Sequence, residues 1–205
     1  LSDEIIKEIT ELVLSSSKTS LDNVKPLIDH LINKSSTISD EKIVSNIALI
    51  VGISSATNKD YALSLVSSFK NHINDKGFSQ VFALRCIGEI GSLINLSSQN
   101  DIVNSVFELI HANDRSIFVP ASESFGLMSV GSPEILKKLA NSAKTDAENF
   151  IIPWLFAINI FTKKVIAIKK HIPKEIFDQI VKTIPDISEF LLKCSKVDSK
   201  ETSQT

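Results

Sequence analysis

Residues 79–95 read Ser79-Gln80-Val81-Phe82-Ala83-Leu84-Arg85-Cys86-Ile87-Gly88-Glu89-Ile90-Gly91-Ser92-Leu93-Ile94-Asn95. Ala83, Ile87, Ile90 and Ile94 fall at offsets 0, 4, 7 and 11, which lines one face of an α-helix, and Leu84 and Val81 widen that face. Downstream, Ile102, Val103, Val106, Phe107 and Ile110 repeat the pattern, and Ser98-x-x-Asp101 reads as a capping box that opens this second helix. No alternating strand pattern occurs anywhere, so the chain is expected to be all-α.

Working outward, similar starts occur at Ser39-Asp40-Glu41, Asn58, Asp114 and Ser132-Pro133-Glu134, where Pro133 suits the first helical turn because its missing N–H would be unpaired there. The spacing predicts helices at 3–16, 22–34, 40–56, 59–75, 79–95, 99–112, 115–130, 133–144, 147–163, 174–183 and 186–195, which is five helix pairs and a remainder. Gly52, Gly88 and Gly126 sit near the centre of three successive first helices, 36 and 38 residues apart. Alignment on them matches Ile47, Ala83 and Ala121, then Val51, Ile87 and Phe125. A mid-helix glycine costs about 1 kcal/mol against alanine, so three at one register point to close helix packing. Two helices per unit at this period predict an α-α superhelix, a solenoid of HEAT/armadillo-like repeats over residues 1–196, with 197–205 as a polar tail. Pro120 and Pro153 either kink their helices or begin them.

Composition narrows the function. The 205 residues carry 22 Lys+Arg against 24 Asp+Glu, a net charge of -2, which lacks the footprint of a chain that neutralises phosphates, so nucleic acid is not expected as the partner. Cys86 and Cys194 offer neither a disulfide framework nor a metal spacing. The apolar run Phe150–Phe161 is shorter than the roughly 20 residues a bilayer requires and is broken by Pro153 and Asn159, so a buried helix is expected there and no membrane span. The chain opens Leu1-Ser2-Asp3-Glu4 without Met or a basic leader, so no targeting segment is legible and the numbering can start inside a longer protein.

Chemistry-bearing patterns are sparse. No Gly-x-Ser-x-Gly surrounds any serine, and Gly88-x-x-Gly91 lies in a helical pattern without the strand and Lys-Ser or Lys-Thr of a phosphate loop. His30, His72, His111 and His171 each lie near a helix end, where a cation is favoured, and none has a metal-partner spacing. Glu89 and Glu123 lie one repeat apart and read as surface or inter-repeat hydrogen-bonding groups. Cys86 and Cys194 read as core residues, the latter continuing the stripe of Ile187, Phe190 and Leu191, and Trp154 reads as core. The one charge cluster, Lys163, Lys164, Lys169, Lys170 and Lys174 with His171, is either a solvated loop and helix end or the docking point of an acidic protein. No catalytic, cofactor-binding or metal-ligating residues are assigned, and neither an enzymatic activity nor a small-molecule substrate is expected.

Three strings are more specific: Ile87-Gly88-Glu89-Ile90-Gly91, Ile94-Asn95-Leu96-Ser97 and Phe125-Gly126-Leu127-Met128-Ser129-Val130-Gly131. In order and spacing they resemble the cullin-associated and neddylation-dissociated family of HEAT-repeat scaffolds, also called TATA-binding-protein-interacting proteins. That family carries Leu-Gly-Glu-Val-Gly, Ile-Asp-Leu-Ser and Ala-Leu-Gly-Ser-Ile-Ser-Val-Gly at these places. The resemblance covers about a third of the chain and implies a segment from the second half of such a scaffold. By implication the partner is the unneddylated cullin of a cullin–RING ubiquitin ligase, the function is non-catalytic exchange of substrate receptors, and the location is cytoplasmic and nuclear. Pro120, the Ile/Lys/Asn-rich flanks and the lysine cluster depart from the family pattern. A HEAT-repeat nuclear transport receptor or phosphatase scaffold is the alternative built from the same repeats.

Overall fold

A computed structural model of the chain describes residues 8–9, 11–13, 15–16, 20–35, 37–38, 40–75, 77–146 and 149–201. Every regular element among them is an α-helix: α1 Leu21–Ser35, α2 Glu41–Ser55, α3 Lys59–Ile73, α4 Phe78–Gly91, α5 Asn100–Ile110, α6 Arg115–Gly131, α7 Pro133–Thr145, α8 Ile151–Ile168 and α9 Lys174–Glu201. Half of the expected helix 3–16 lies outside the described residues; those described within it are helical. The chain divides into two compact units, Leu1–Ile94 and Asn95–Thr205, and the division falls in the turn of the third helix pair.

In the first unit α2 packs against α1 and α4, and α3 packs against α4. The starts follow the expected chemistry. Asp40 accepts hydrogen bonds from the Lys42 and Ile43 amides and Asn58 accepts one from Tyr61, which satisfies donors that have no intrahelical partner. The core is built by Ile28, Val44, Val51, Val66, Phe69, Ile87 and Ile90, with Phe69 set edge-on to Phe82 at 5.9 Å. Gln80 closes the end of α3 by donating from Nε2 to the Ile73 carbonyl at 2.6 Å. Arg85 ties α4 to the start of α2: its guanidinium donates to the Glu41 carbonyl at 3.1 Å, to the Glu41 carboxylate at 2.9 Å and to the Ser45 hydroxyl.

In the second unit α6 packs against α5, α7 and α8, and α7 packs against α9. The expected capping box at Ser98 does not form. Helix α5 instead starts after Gln99 without a side-chain cap, and the preceding chain is shaped by an Asn95 side chain accepting from the Ser97 amide at 2.8 Å. Pro133 occupies the first turn of α7 as expected, but the Ser132 hydroxyl does not cap that helix; it accepts from the buried Leu96 amide at 2.9 Å. This bond holds the 94–97 segment out of the helix that the sequence extends to 95.

The prolines divide into two kinds. Pro153 is the third residue of α8, where its absent N–H has no helical acceptor to lose, so the helix begins before it at Ile151. Pro120 lies in the interior of α6, which begins at Arg115 behind an Asp114 cap, and Pro185 lies in the interior of α9. The two helices expected at 174–183 and 186–195 are therefore one. The stripe Ile176, Ile180, Thr183, Ile187 and Phe190 runs through Pro185 without a break, and its burial against α7 outweighs the roughly 3 kcal/mol that an interior proline costs. Helix α9 continues to Glu201, into the segment expected as a tail, of which 202–205 lie outside the described residues.

Candidate functional site

The histidines sit apart in chemistry as well as in sequence. His72 Nδ1 lies 2.7 Å from Asp75, and both side chains are about half exposed. His111 faces the Phe107 carbonyl at 3.1 Å through Nδ1 and Asp146 at 3.5 Å through Nε2, and its ring stands edge-on to Phe150 and Trp154 at 4.7 and 5.7 Å. His30 and His171 are exposed. No grouping of three or more metal-ligating side chains occurs among the described residues. Glu89 belongs to the first unit and Glu123 to the second, and each is half-buried on its helix.

Cys86 is fully buried, and burial followed by the nearby Glu89 charge pushes its thiol well above the ordinary range, which disfavours the reactive thiolate. Cys194 is half-buried, and Leu191, expected beside it in the core, is 43% exposed. Both lie on the flank of the buried stripe of α9. Trp154 is buried as expected, at the centre of an aromatic group with Phe107 at 5.8 Å, Phe125 at 6.4 Å and His111. Lys138 covers this group from outside: its ammonium lies 4.0 Å from the Phe107 ring centroid and donates to Asn104 at 2.9 Å. Partial burial lowers its pKa, against the opposing charge of Glu108.

Two of the three aligned glycines meet a neighbouring helix directly. A β-carbon at Gly52 would fall on that of Glu89 in α4 and lie 3.3 Å from the Ile90 nitrogen; one at Gly126 would fall on the Ala157 carbonyl oxygen in α8 and lie 3.0 Å from its carbonyl carbon. Both are contacts between one first helix and the next within a unit.

The surface feature that sequence reasoning missed is the outer side of α8 and α9. The run Phe150–Phe161 was expected as buried helix, but α8 continues to Ile168 and buries one side only, through Pro153, Trp154, Ala157, Ile158 and Phe161. At 18 residues and a mean hydropathy of 1.6 it is the one helix among the described residues long and apolar enough to cross a bilayer by length and composition. Its outward positions 152, 156, 159, 163 and 166 alternate by four and three: Ile152, Phe156, Asn159, Lys163 and Ile166, the last 62% exposed. On α9, Phe177, Val181, Ile184, Leu191 and Leu192 form a second exposed apolar stripe beside the buried one. Lys163 and Lys164 lie within α8, not in a loop; Lys163, Lys169, Lys170 and Lys174 are exposed around its end and the following turn. The signal was legible as two apolar stripes on one helix, where a surface helix carries one.

No family model matches this chain, and neither a curated protein nor a solved structure significantly similar to it is found.

Proposed function

We propose that this chain is a non-catalytic protein-binding scaffold of stacked HEAT-like helix pairs, and that its partner is a cullin–RING ligase scaffold. The observation that carries the architectural part is the glycine register. Gly52 and Gly126, matched in the sequence repeat, both set a first helix against the next with no room for a β-carbon, as stacked repeats require. The buried state of Ile47, Ala83 and Ala121, and of Val51, Ile87 and Phe125, at matched positions supports the same reading. Stacked helix pairs offer surface to macromolecules in preference to a pocket for chemistry.

The cullin part rests on the strings 87–91, 94–97 and 125–131. Those residues pack, turn or bridge helices, so they identify a scaffold better than they identify its contact surface. The mechanism is competition: the scaffold occupies the cullin surface and lowers the affinity of substrate receptors, and the coupling is reciprocal. Size-exclusion co-elution of the chain with a cullin–RING scaffold, with and without its ubiquitin-like modifier, tests the reading. Co-elution with the unmodified form alone is expected. Failure to bind either form removes the cullin assignment and leaves the helical scaffold.

A further inference from the structure

Helix α8 packs on α6 and, less extensively, on α7, and among the described residues its opposite side is open to solvent. That side carries Ile152, Phe156, Asn159, Lys163 and Ile166, at spacings of four, three, four and three. This is the heptad spacing of a helix that pairs with another helix along a seam. Ile152 is 57% and Ile166 62% exposed, Asn159 and Lys163 are exposed, and Phe156 is half-buried. The stripe has a midpoint: Asn159 lies seven residues after Ile152 and seven before Ile166, about two helical turns each way. An apolar seam with one amide at its centre matches itself when turned end for end. Among the described residues neither the Asn159 amide nor the Lys163 ammonium has a hydrogen-bond or ion-pair partner.

We infer that α8 is a self-association seam: its outer face lies antiparallel on the same face of a second copy, about a two-fold axis through Asn159. The occupant is a second copy because the stripe is its own complement. Ile152 of each copy packs on Ile166 of the other, once at each end of the seam. The two Asn159 amides meet on the axis and each donates to the other's carbonyl oxygen, which fixes the register. Lys163 falls within one residue of the level of Phe156 in the other copy, so its alkyl stem covers the ring while the ammonium reaches solvent. The Arg115 guanidinium, 5.9 Å from the Phe156 ring of its own chain, has the same sign and turns that ammonium outward. The two Lys163 residues are then about 12 Å apart along the seam, beyond the Debye length of roughly 8 Å at physiological salt. A parallel seam would set them directly against each other. One helix seam of about 21 Å buries less than the roughly 1,600 Å² of a standard interface, so the dimer is a weak one. Helix α8 lies outside the strings 87–91, 94–97 and 125–131, so this inference stands independently of the cullin reading.

Sedimentation velocity of the full chain from micromolar to millimolar concentration tests it, with a monomer–dimer equilibrium expected and no species beyond the dimer. Asn159→Lys sets two ammonium groups on the axis and is expected to weaken dimerisation by about tenfold or more. Circular dichroism checks that this variant, changed at an exposed position, keeps its helix content. Register is read by oxidative cross-linking of single-cysteine variants in a Cys194→Ser background, where the remaining native cysteine, Cys86, is fully buried. Asn159→Cys alone is expected to link into dimers. Ile152→Cys and Ile166→Cys are each expected to link poorly alone and to link with one another in an equimolar mixture. A chain that stays monomeric at millimolar concentration, including one that binds anionic vesicles as a monomer, overturns the proposal. So does a dimer that Asn159→Lys leaves intact, or efficient linking of Ile152→Cys to itself, which marks a parallel seam.

Discussion

Replacing Gly126 by Ala separates helix propensity from packing, because the two act in opposite directions there. In an unpacked helix interior the change would stabilise by about 1 kcal/mol, since alanine loses less backbone entropy. In α6 the added methyl falls on the Ala157 carbonyl oxygen and lies 3.0 Å from its carbon and 3.2 Å from its α-carbon, all backbone atoms of α8 that cannot rotate away. Carbon atoms settle at about 3.5 to 4.0 Å, so α6 and α8 must separate by the better part of an ångström along a contact that includes Trp154 and Phe125. Overpacking of this kind costs about 1–3 kcal/mol, and a clash with backbone belongs at the upper end. The net expectation is a destabilisation of about 2 kcal/mol, a fall in melting temperature of roughly 10 °C for a unit of this size. Urea unfolding followed by the fluorescence of Trp154, the sole tryptophan and itself on α8, measures it directly. A Gly126→Ala protein as stable as the parent, or more stable, would refute the close-packing argument.

Three further outcomes follow from single groups. Tyr61 is the only tyrosine, and burial together with the Asp29 carboxylate that accepts its hydroxyl proton pushes its pKa up to about 12, so absorbance titration of the folded chain should find its midpoint near that value and the unfolded chain near the ordinary 10. Because the folded value is the higher one, this contribution to stability is complete below pH 10 and is lost as the pH rises towards 12, so the stability difference between the parent and Tyr61→Phe should change with pH within that window alone, which unfolding curves at a series of alkaline pH values check. Asp40→Ala removes the acceptor for two amides at the start of α2 and should cost about 1 kcal/mol in denaturant midpoint, with Asp40→Asn recovering most of it. Pro185→Ala restores a helical donor at an exposed position inside α9 and should raise stability by about 1 kcal/mol or more; a loss would mean that the helix is shaped around the ring.

The helices were legible in the sequence because their buried stripes are continuous. Ala83, Ile87, Ile90 and Ile94 are all buried, and Asp40, Asn58 and Asp114 all cap. What the sequence hid depends on partners distant along the chain. Ser98 has the letters of a capping box, but the turn before α5 is fixed by Asn95 and by the bond from Leu96 to Ser132, 36 residues away. Pro185 reads locally as a break, and only the packing of α9 on α7, with Lys144 bound to Glu189 at 2.6 Å, carries the helix through it. The outer face of α8 was hidden for a different reason. A helix that is apolar on two sides shows both stripes in its letters, but the letters do not say which side is buried and which is exposed.

The unit boundary between Ile94 and Asn95 has a practical consequence for anyone who dissects this molecule. Cutting at the gaps between sequence repeats, for instance before Phe78, would part α3 from α4, although these two helices pack together and share the Phe69–Phe82 contact. The fragment so made would carry a raw oily flank and aggregate. A cut between Ile94 and Asn95 leaves each half with its own interior and gives the first half Tyr61 and the second Trp154, one spectroscopic label apiece. The helix pairs expected from the sequence and the pieces that hold together are offset from each other by one helix.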